Sequence, residues 1–189
     1  EGLAYRLVPI QYASADGQMG RIKTNIMYDN MMNKFQWGNM NDPDVYLNED
    51  NIRLAMNFRN NFARLANALL NENKTDSAIA VLDKCFEVMP EESVPFNFYV
   101  YPLAEAYYRA GATDKANVIS QRLIEISESE LKYYFAFDKK FDGAIDKDKQ
   151  FALGILQRIS QICNRYQQTE IAKKSEELFE NYYKLYSIN

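Results

Sequence analysis

One four-residue phrase is written three times along this chain: TDSA at 75–78, TDKA at 113–116 and TEIA at 169–172. Each reads as a helix start, with Thr as the N-cap and an acid in the first turn, where the helix dipole favours negative charge. The surroundings recur with the phrase. Twelve residues before each final Ala stands a small residue, Ala66, Ala104 and Ser160; one earlier is an aliphatic, Leu65, Leu103 and Ile159. Sixteen before come Phe62, Val100 and Leu156, and nine before come Leu69, Tyr107 and Cys163. Seven after come Cys85, Leu123 and Phe179. Matched intervals of this kind predict an all-α chain of helical hairpins. Small residues let the two helices of a hairpin approach, and bulky ones fill the space between successive hairpins.

The pattern resembles the tetratricopeptide repeat: bulky, two residues, Leu, small, two residues, aromatic, then Ala, three residues, aromatic, and later Pro. Unit one runs Phe62, Leu65, Ala66, Leu69, Ala78, Leu82 and Pro90 and fits almost throughout. Unit two runs Val100, Leu103, Ala104, Tyr107, Gly111 and Ala116, but has Ser120 and Glu128 where an aromatic and Pro are expected. Unit three departs at Ser160 and Glu176. A terminal unit is expected to be atypical, because its outer face meets water. An unrelated helical bundle is the alternative. The first two units are 38 residues apart and the next two 56, so 18 extra residues fall near SESELKYYFAFDKKFDGAID. That stretch reads as an aromatic helix followed by a Gly–Asp turn. Pro102 is tolerable if its helix begins near Tyr99, because the first helical N–H groups have no partner anyway.

Residues 1–48 differ from the rest and read as an N-terminal arm that packs on the repeats of 49–189. LAYRLVPI reads as a strand or extended segment, and ADGQMG as a turn. TNIMYDNMMNKFQWGN reads as a helix capped by Thr24 and ended by Gly38, burying Ile26, Met27, Met31, Met32 and Phe35. The Met-rich stretch with the only Trp could instead be an adaptable binding surface. A loop then leads to an N-cap at Asn48 or Asp50.

Composition removes several kinds of chemistry. The 189 residues carry a net charge of −4 and no histidine. The acidic balance argues against a nucleic-acid partner, which needs a basic footprint. Without imidazole there is no Ser–His or Cys–His nucleophile pair and no usual near-neutral general base. The two cysteines, Cys85 and Cys163, are far apart in the chain and have no metal-type spacing; Cys85 falls on the packed face of unit one, as an inert core thiol would. Asp142, Asp146 and Asp148 resemble a cation loop, yet the calcium-hand spacing fails, and a solvated turn is the plainer reading. Asp42, Asp44, Glu49 and Asp50 read as helix capping. Asn73-Lys74-Thr75 is a sequon that matters only in a eukaryotic secretory setting. No glycine-rich phosphate loop occurs, and no cofactor or metal is expected. No apolar run approaches the roughly 18–20 residues needed to cross a bilayer.

Repeats of this kind line a groove with the first helix of each pair. The register places Asn60 and Asn67 there in unit one. Unit two contributes Tyr101, Glu105, Tyr108 and Arg109, and unit three Gln157, Gln161 and Asn164. Such an amide-rich, aromatic surface could hold a peptide or a sugar, or could simply face solvent.

The phrases GLAYRLVPI, MYDNMMNKFQWGN, YLNEDNIR, FARLANALL, VLDKCFEVMPEE and AEAYYRAG follow one another in this order. Together they resemble the C-terminal region of a bacterial family of large polytopic membrane proteins. Those proteins are similar to the protein O-mannosyltransferase-like glycosyltransferases, whose animal relatives also end in a lumenal tetratricopeptide region. The resemblance covers essentially the whole chain, and GLAYRLVP and YDN…KFQWGN are its specific part. It implies a membrane domain of many spans ahead of Glu1, which would hold the catalytic acids. It also implies a periplasmic, non-catalytic role for these residues, binding a protein, peptide or glycan acceptor or holding the complex together. A free-standing peptide-binding adaptor is the alternative function, and a soluble enzyme working through carboxylates a third.

Overall fold

The computed structural model describes residues 1–7, 9 and 17–188, and among these the fold is all-α, with seven α-helices and no strand. By packing, the chain separates into two compact units, Glu1–Pro95 and Phe96–Asn189.

The first unit is a hairpin with an arm laid on it. Helix α2, Glu49–Asn71, pairs with α3, Thr75–Val88. Asn48 caps α2 as expected, its side chain accepting from the Asn51 N–H at 2.9 Å. The arm holds α1, Thr24–Asp29, which widens into a π-turn over Asn30–Lys34 closed by the Phe35 N–H on the Asn30 carbonyl at 2.8 Å. The widened turn ends the helix at Lys34, short of Gly38. Met27 and Met31 are buried as expected, but Ile26 is exposed. Thr24 is no cap either: it is the first helical residue, and its hydroxyl donates to the Glu72 carboxylate at 2.8 Å. Of the strand or extended segment expected over residues 3–10, no strand forms over 3–7, while Val8 and Ile10 lie outside the described residues. Of the 15–20 turn, residues 17–20 bend and 15–16 lie outside them.

Two charged side chains of α2 lie inside this unit. Arg59 is fully buried and donates to the carbonyls of Met89, Val94 and Pro95. Burial pushes its guanidinium down to about 10, which still leaves it cationic at neutral pH. Arg64 donates to the Tyr5 hydroxyl and to the Met19 and Gly20 carbonyls, tying the arm to α2. The Trp37 ring sits 5.1 Å from that of Phe62 and 6.4 Å from that of Phe58.

The second unit holds two hairpins. Helix α4, Tyr101–Arg109, pairs with α5, Thr113–Phe135; α6, Asp142–Arg165, pairs with α7, Thr169–Ile188. A short 3₁₀ turn over Phe98–Val100 leads into α4, which places Pro102 in its first turn, where it removes no helical hydrogen bond. Helix α4 touches α6, and α5 touches both α6 and α7. The 18 extra residues lengthen α5 and α6 past the ends of a plain hairpin. The expected Gly–Asp turn is absent: Asp142 and Gly143 open α6.

The three recurrent phrases open α3, α5 and α7, but their Thr residues are first helical residues rather than N-caps. The turn chemistry explains this. Asn73, Gly111 and Gln167 each adopt a left-handed conformation, with φ of 59°, 76° and 60°. Their N–H groups bond the carbonyls of Leu70, Tyr108 and Asn164. The next N–H groups, of Lys74, Ala112 and Gln168, bond Leu69, Tyr107 and Cys163 at 2.9, 3.0 and 2.8 Å. This is the Schellman closure, and the following helix restarts at once, so the cap position falls one residue before Thr. The turns thus repeat bond for bond in all three hairpins. Ala78, Ala116 and Ala172 are buried, as are Ala66, Ala104 and Ser160.

Candidate binding surface

The candidate surface is built from the residues that α4 and α6 bring together in the second unit. Helix α4 is amphipathic: Leu103, Ala104, Ala106 and Tyr107 are buried, leaving Tyr101, Glu105 and Arg109 on the other side at i, i+4 and i+8. On α6 the exposed stripe runs through Phe151, Gln157, Arg158, Gln161, Asn164 and Arg165. Contacts at the surface join α4 to α6 and its C-cap. The Arg158 guanidinium lies 5.8 Å over the Tyr101 ring, Arg165 pairs with Glu105 at 2.6 Å, and Tyr108 stacks on Tyr166 at 5.2 Å.

Tyr108 is buried, so it supports the surface from beneath. Its hydroxyl donates to Asn117 Oδ1 at 2.7 Å and lies 3.3 Å from Ser120 Oγ and 3.4 Å from Cys163 Sγ. Asn117 in turn donates to Gln168 at 3.0 Å, so the network ties α4, α5 and α6 to the last hairpin turn. Desolvation, followed by the Cys163 thiol, holds the Tyr108 hydroxyl well above the ordinary tyrosine range. The Tyr166 hydroxyl is raised too, mainly by burial and then by Glu105, with Arg109 and Arg165 pulling the other way. Both phenols are therefore neutral at physiological pH. The surface above them is polar and cationic.

No family model, curated protein or solved structure matches this chain.

Of the residues expected to line a groove, Tyr101, Glu105, Arg109, Gln157, Gln161 and Asn164 lie on the α4 and α6 faces just described. Asn164 also donates to Ser160 Oγ at 3.5 Å. Asn60 and Asn67 belong to the first unit. Asn60 and Gln18 of the arm exchange amide hydrogen bonds at 2.8 and 3.3 Å, and Asn67 donates to the Ala63 carbonyl at 3.0 Å. Sequence reading passed over Arg158, Arg165, Phe151 and Tyr166. Their signal was present: Arg158 and Arg165 are seven residues apart, each one position beyond a selected amide, Gln157 and Asn164.

The other candidate groups take structural places. Asp146 accepts from Gln150 at 2.7 Å and from the Tyr186 hydroxyl at 2.8 Å, within the packing of α6 on α7. Cys85 is fully buried, and desolvation pushes its thiol up to about 12 despite the nearby Arg59 charge. Cys163 is buried and raised by the same cause. At pH 8 a thiol at about 12 is ionised roughly one part in ten thousand. Native protein is therefore expected to show no fast reaction with Ellman's reagent, and two thiols per chain in 6 M guanidinium. Fast labelling of either cysteine in the native state would contradict the burial. No helix among the described residues is long and apolar enough to cross a membrane.

Proposed function

We propose that this chain is a non-catalytic, tetratricopeptide-like module that binds a protein or peptide partner. Following the resemblance of its sequence phrases, we place it on the periplasmic side of a membrane-bound protein glycosyltransferase. The observation that carries the repeat reading is the threefold turn, identical in its hydrogen bonds and preceded each time by a buried small residue. In the second unit, corresponding helices of the two hairpins also touch, α4 with α6 and α5 with α7. Stacking of that kind leaves the first helices side by side, and here they carry amides, rings and guanidinium groups, chemistry suited to recognition. The specific support for the transferase setting is GLAYRLVP and YDN…KFQWGN.

Two measurements test the parts separately. Deleting residues 1–189 from the encoded protein is expected to lower glycosyl transfer to the protein acceptor at least tenfold while membrane insertion is unchanged. Undiminished transfer would remove the accessory role. Reading the gene upstream of Glu1 tests the setting: a start codon within a few residues would leave a binding module with no transferase attached.

A further inference from the structure

We infer that the α6 face centred on Gly154 docks an acidic peptide segment bearing aromatic side chains, with the peptide backbone passing close over Gly154. This deepens the binding-module reading and rests on it. Gly154 stands mid-way along a 24-residue helix, where glycine is the poorest choice after proline. Its φ is ordinary, and a Cβ built there meets nothing within 4 Å among the described residues. Among the described residues, neither packing nor backbone conformation asks for glycine at this position. A bare helix backbone on an accessible face does permit another chain to come closer than any side chain would allow.

The surroundings suit one kind of visitor. One turn before Gly154 is Phe151, 58% exposed, with its ring 6.2 Å from that of Phe98; Phe98 meets Tyr101 edge-on at 4.9 Å. These rings form an aromatic wall able to take a visiting ring. One turn after Gly154 come Gln157 and Arg158, followed by Gln161, Asn164 and Arg165. Side-chain amides donate and accept together, as peptide groups do. The charges choose an acidic peptide. Arg158 on α6 and Arg109 on the neighbouring α4 flank the Arg165–Glu105 ion pair, which leaves this surface net cationic on a chain whose net charge is −4. The Arg158 guanidinium lies 5.8 Å over the Tyr101 ring, and its planar fork matches a carboxylate. From Phe151 to Arg165 the stripe spans about 21 Å, room for about six extended residues.

The probe is a fluorescein-labelled glutamate–tyrosine copolymer, followed by anisotropy with the full chain. A lysine–tyrosine copolymer and alginate, an acidic polysaccharide, are the comparators. The glutamate copolymer is expected to bind, more weakly as salt rises, and the lysine copolymer to fail. Gly154→Ala is expected to raise the thermal midpoint by about 2–4 °C while weakening binding about tenfold or more. Arg158→Gln is expected to weaken binding about tenfold, the loss of one charge-assisted hydrogen bond, and to lower the midpoint by no more than about 2–4 °C through the lost contact with the Tyr101 ring. Binding of alginate with the glutamate copolymer ignored would overturn the assignment, as would no binding of any probe. Binding by Gly154→Ala equal to the parent would overturn it too, yet leave the module reading standing. That reading falls only to the deletion test.

Discussion

Arg59→Ala is expected to remove about 3–5 kcal/mol from the stability of the first unit, the loss seen when one partner of a buried charged interaction is taken away. The guanidinium is fully buried, and three main-chain carbonyls converge on it from the segment that follows α3: Met89, Val94 and Pro95. None of those carbonyls belongs to a helix that could re-pair it. Truncation therefore strands buried acceptors and opens a cavity together. Arg59→Met separates the two effects, because it keeps most of the volume and loses every donor. If hydrogen bonding dominates, Met will be nearly as damaging as Ala. Urea denaturation with unchanged slope is the measurement, and a loss below about 1 kcal/mol would contradict the role assigned to Arg59. A domain is stable by only roughly 5–15 kcal/mol in total, so Arg59→Ala is also expected to lower the yield of folded protein.

Phe62→Ala is expected to cost about 3–5 kcal/mol, the usual range for emptying a buried phenylalanine site, and to leave a second signature. Phe62 is fully buried in α2 and its ring supports Trp37, the only tryptophan of the chain. Loss of the ring removes the wall against which the arm rests, so Trp37 emission is expected to shift to the red even under native conditions. Phe62→Leu keeps most of the apolar contact and is expected to hold the emission nearer the parent position. A parent-like spectrum in Phe62→Ala would mean that the arm is held elsewhere, by Arg64 and its bonds to Tyr5, Met19 and Gly20 together with the Thr24–Glu72 and Gln18–Asn60 hydrogen bonds.

The two cases show what could be read in advance. Phe62 announced itself, because its interval to Leu65, Ala66 and Ala78 recurs twice more along the chain. Arg59 did not, although it stands in the same stripe as Ala55, Phe62, Ala66 and Leu69. A charge on an apolar stripe is a visible anomaly, but its partners are main-chain carbonyls, which every residue possesses. The same limit applies to the turns. Gly111 marks a left-handed residue in the sequence, whereas Asn73 and Gln167 fill the same place without the glycine signature. The surface on α4 and α6 was legible as amides and aromatics, since an exposed helical face follows from period alone. The pairing of Arg158 with Tyr101 and of Arg165 with Glu105 was not, because it depends on how the two helices lie against each other.

By itself, the order of residues determined that this chain folds as helical hairpins, where three of the tight turns fall and which small side chains are enclosed. Those follow from the helical period and from local backbone preference, both properties of neighbouring residues. Tertiary structure decided the rest: that two arginines lie inside the first unit, that the arm's helix ends in a widened turn with Ile26 outward, and that the 18 added residues lengthen two helices. The arginines show the physical reason most plainly: their partners are carbonyls and a hydroxyl distant in the chain, whose meeting no local pattern encodes.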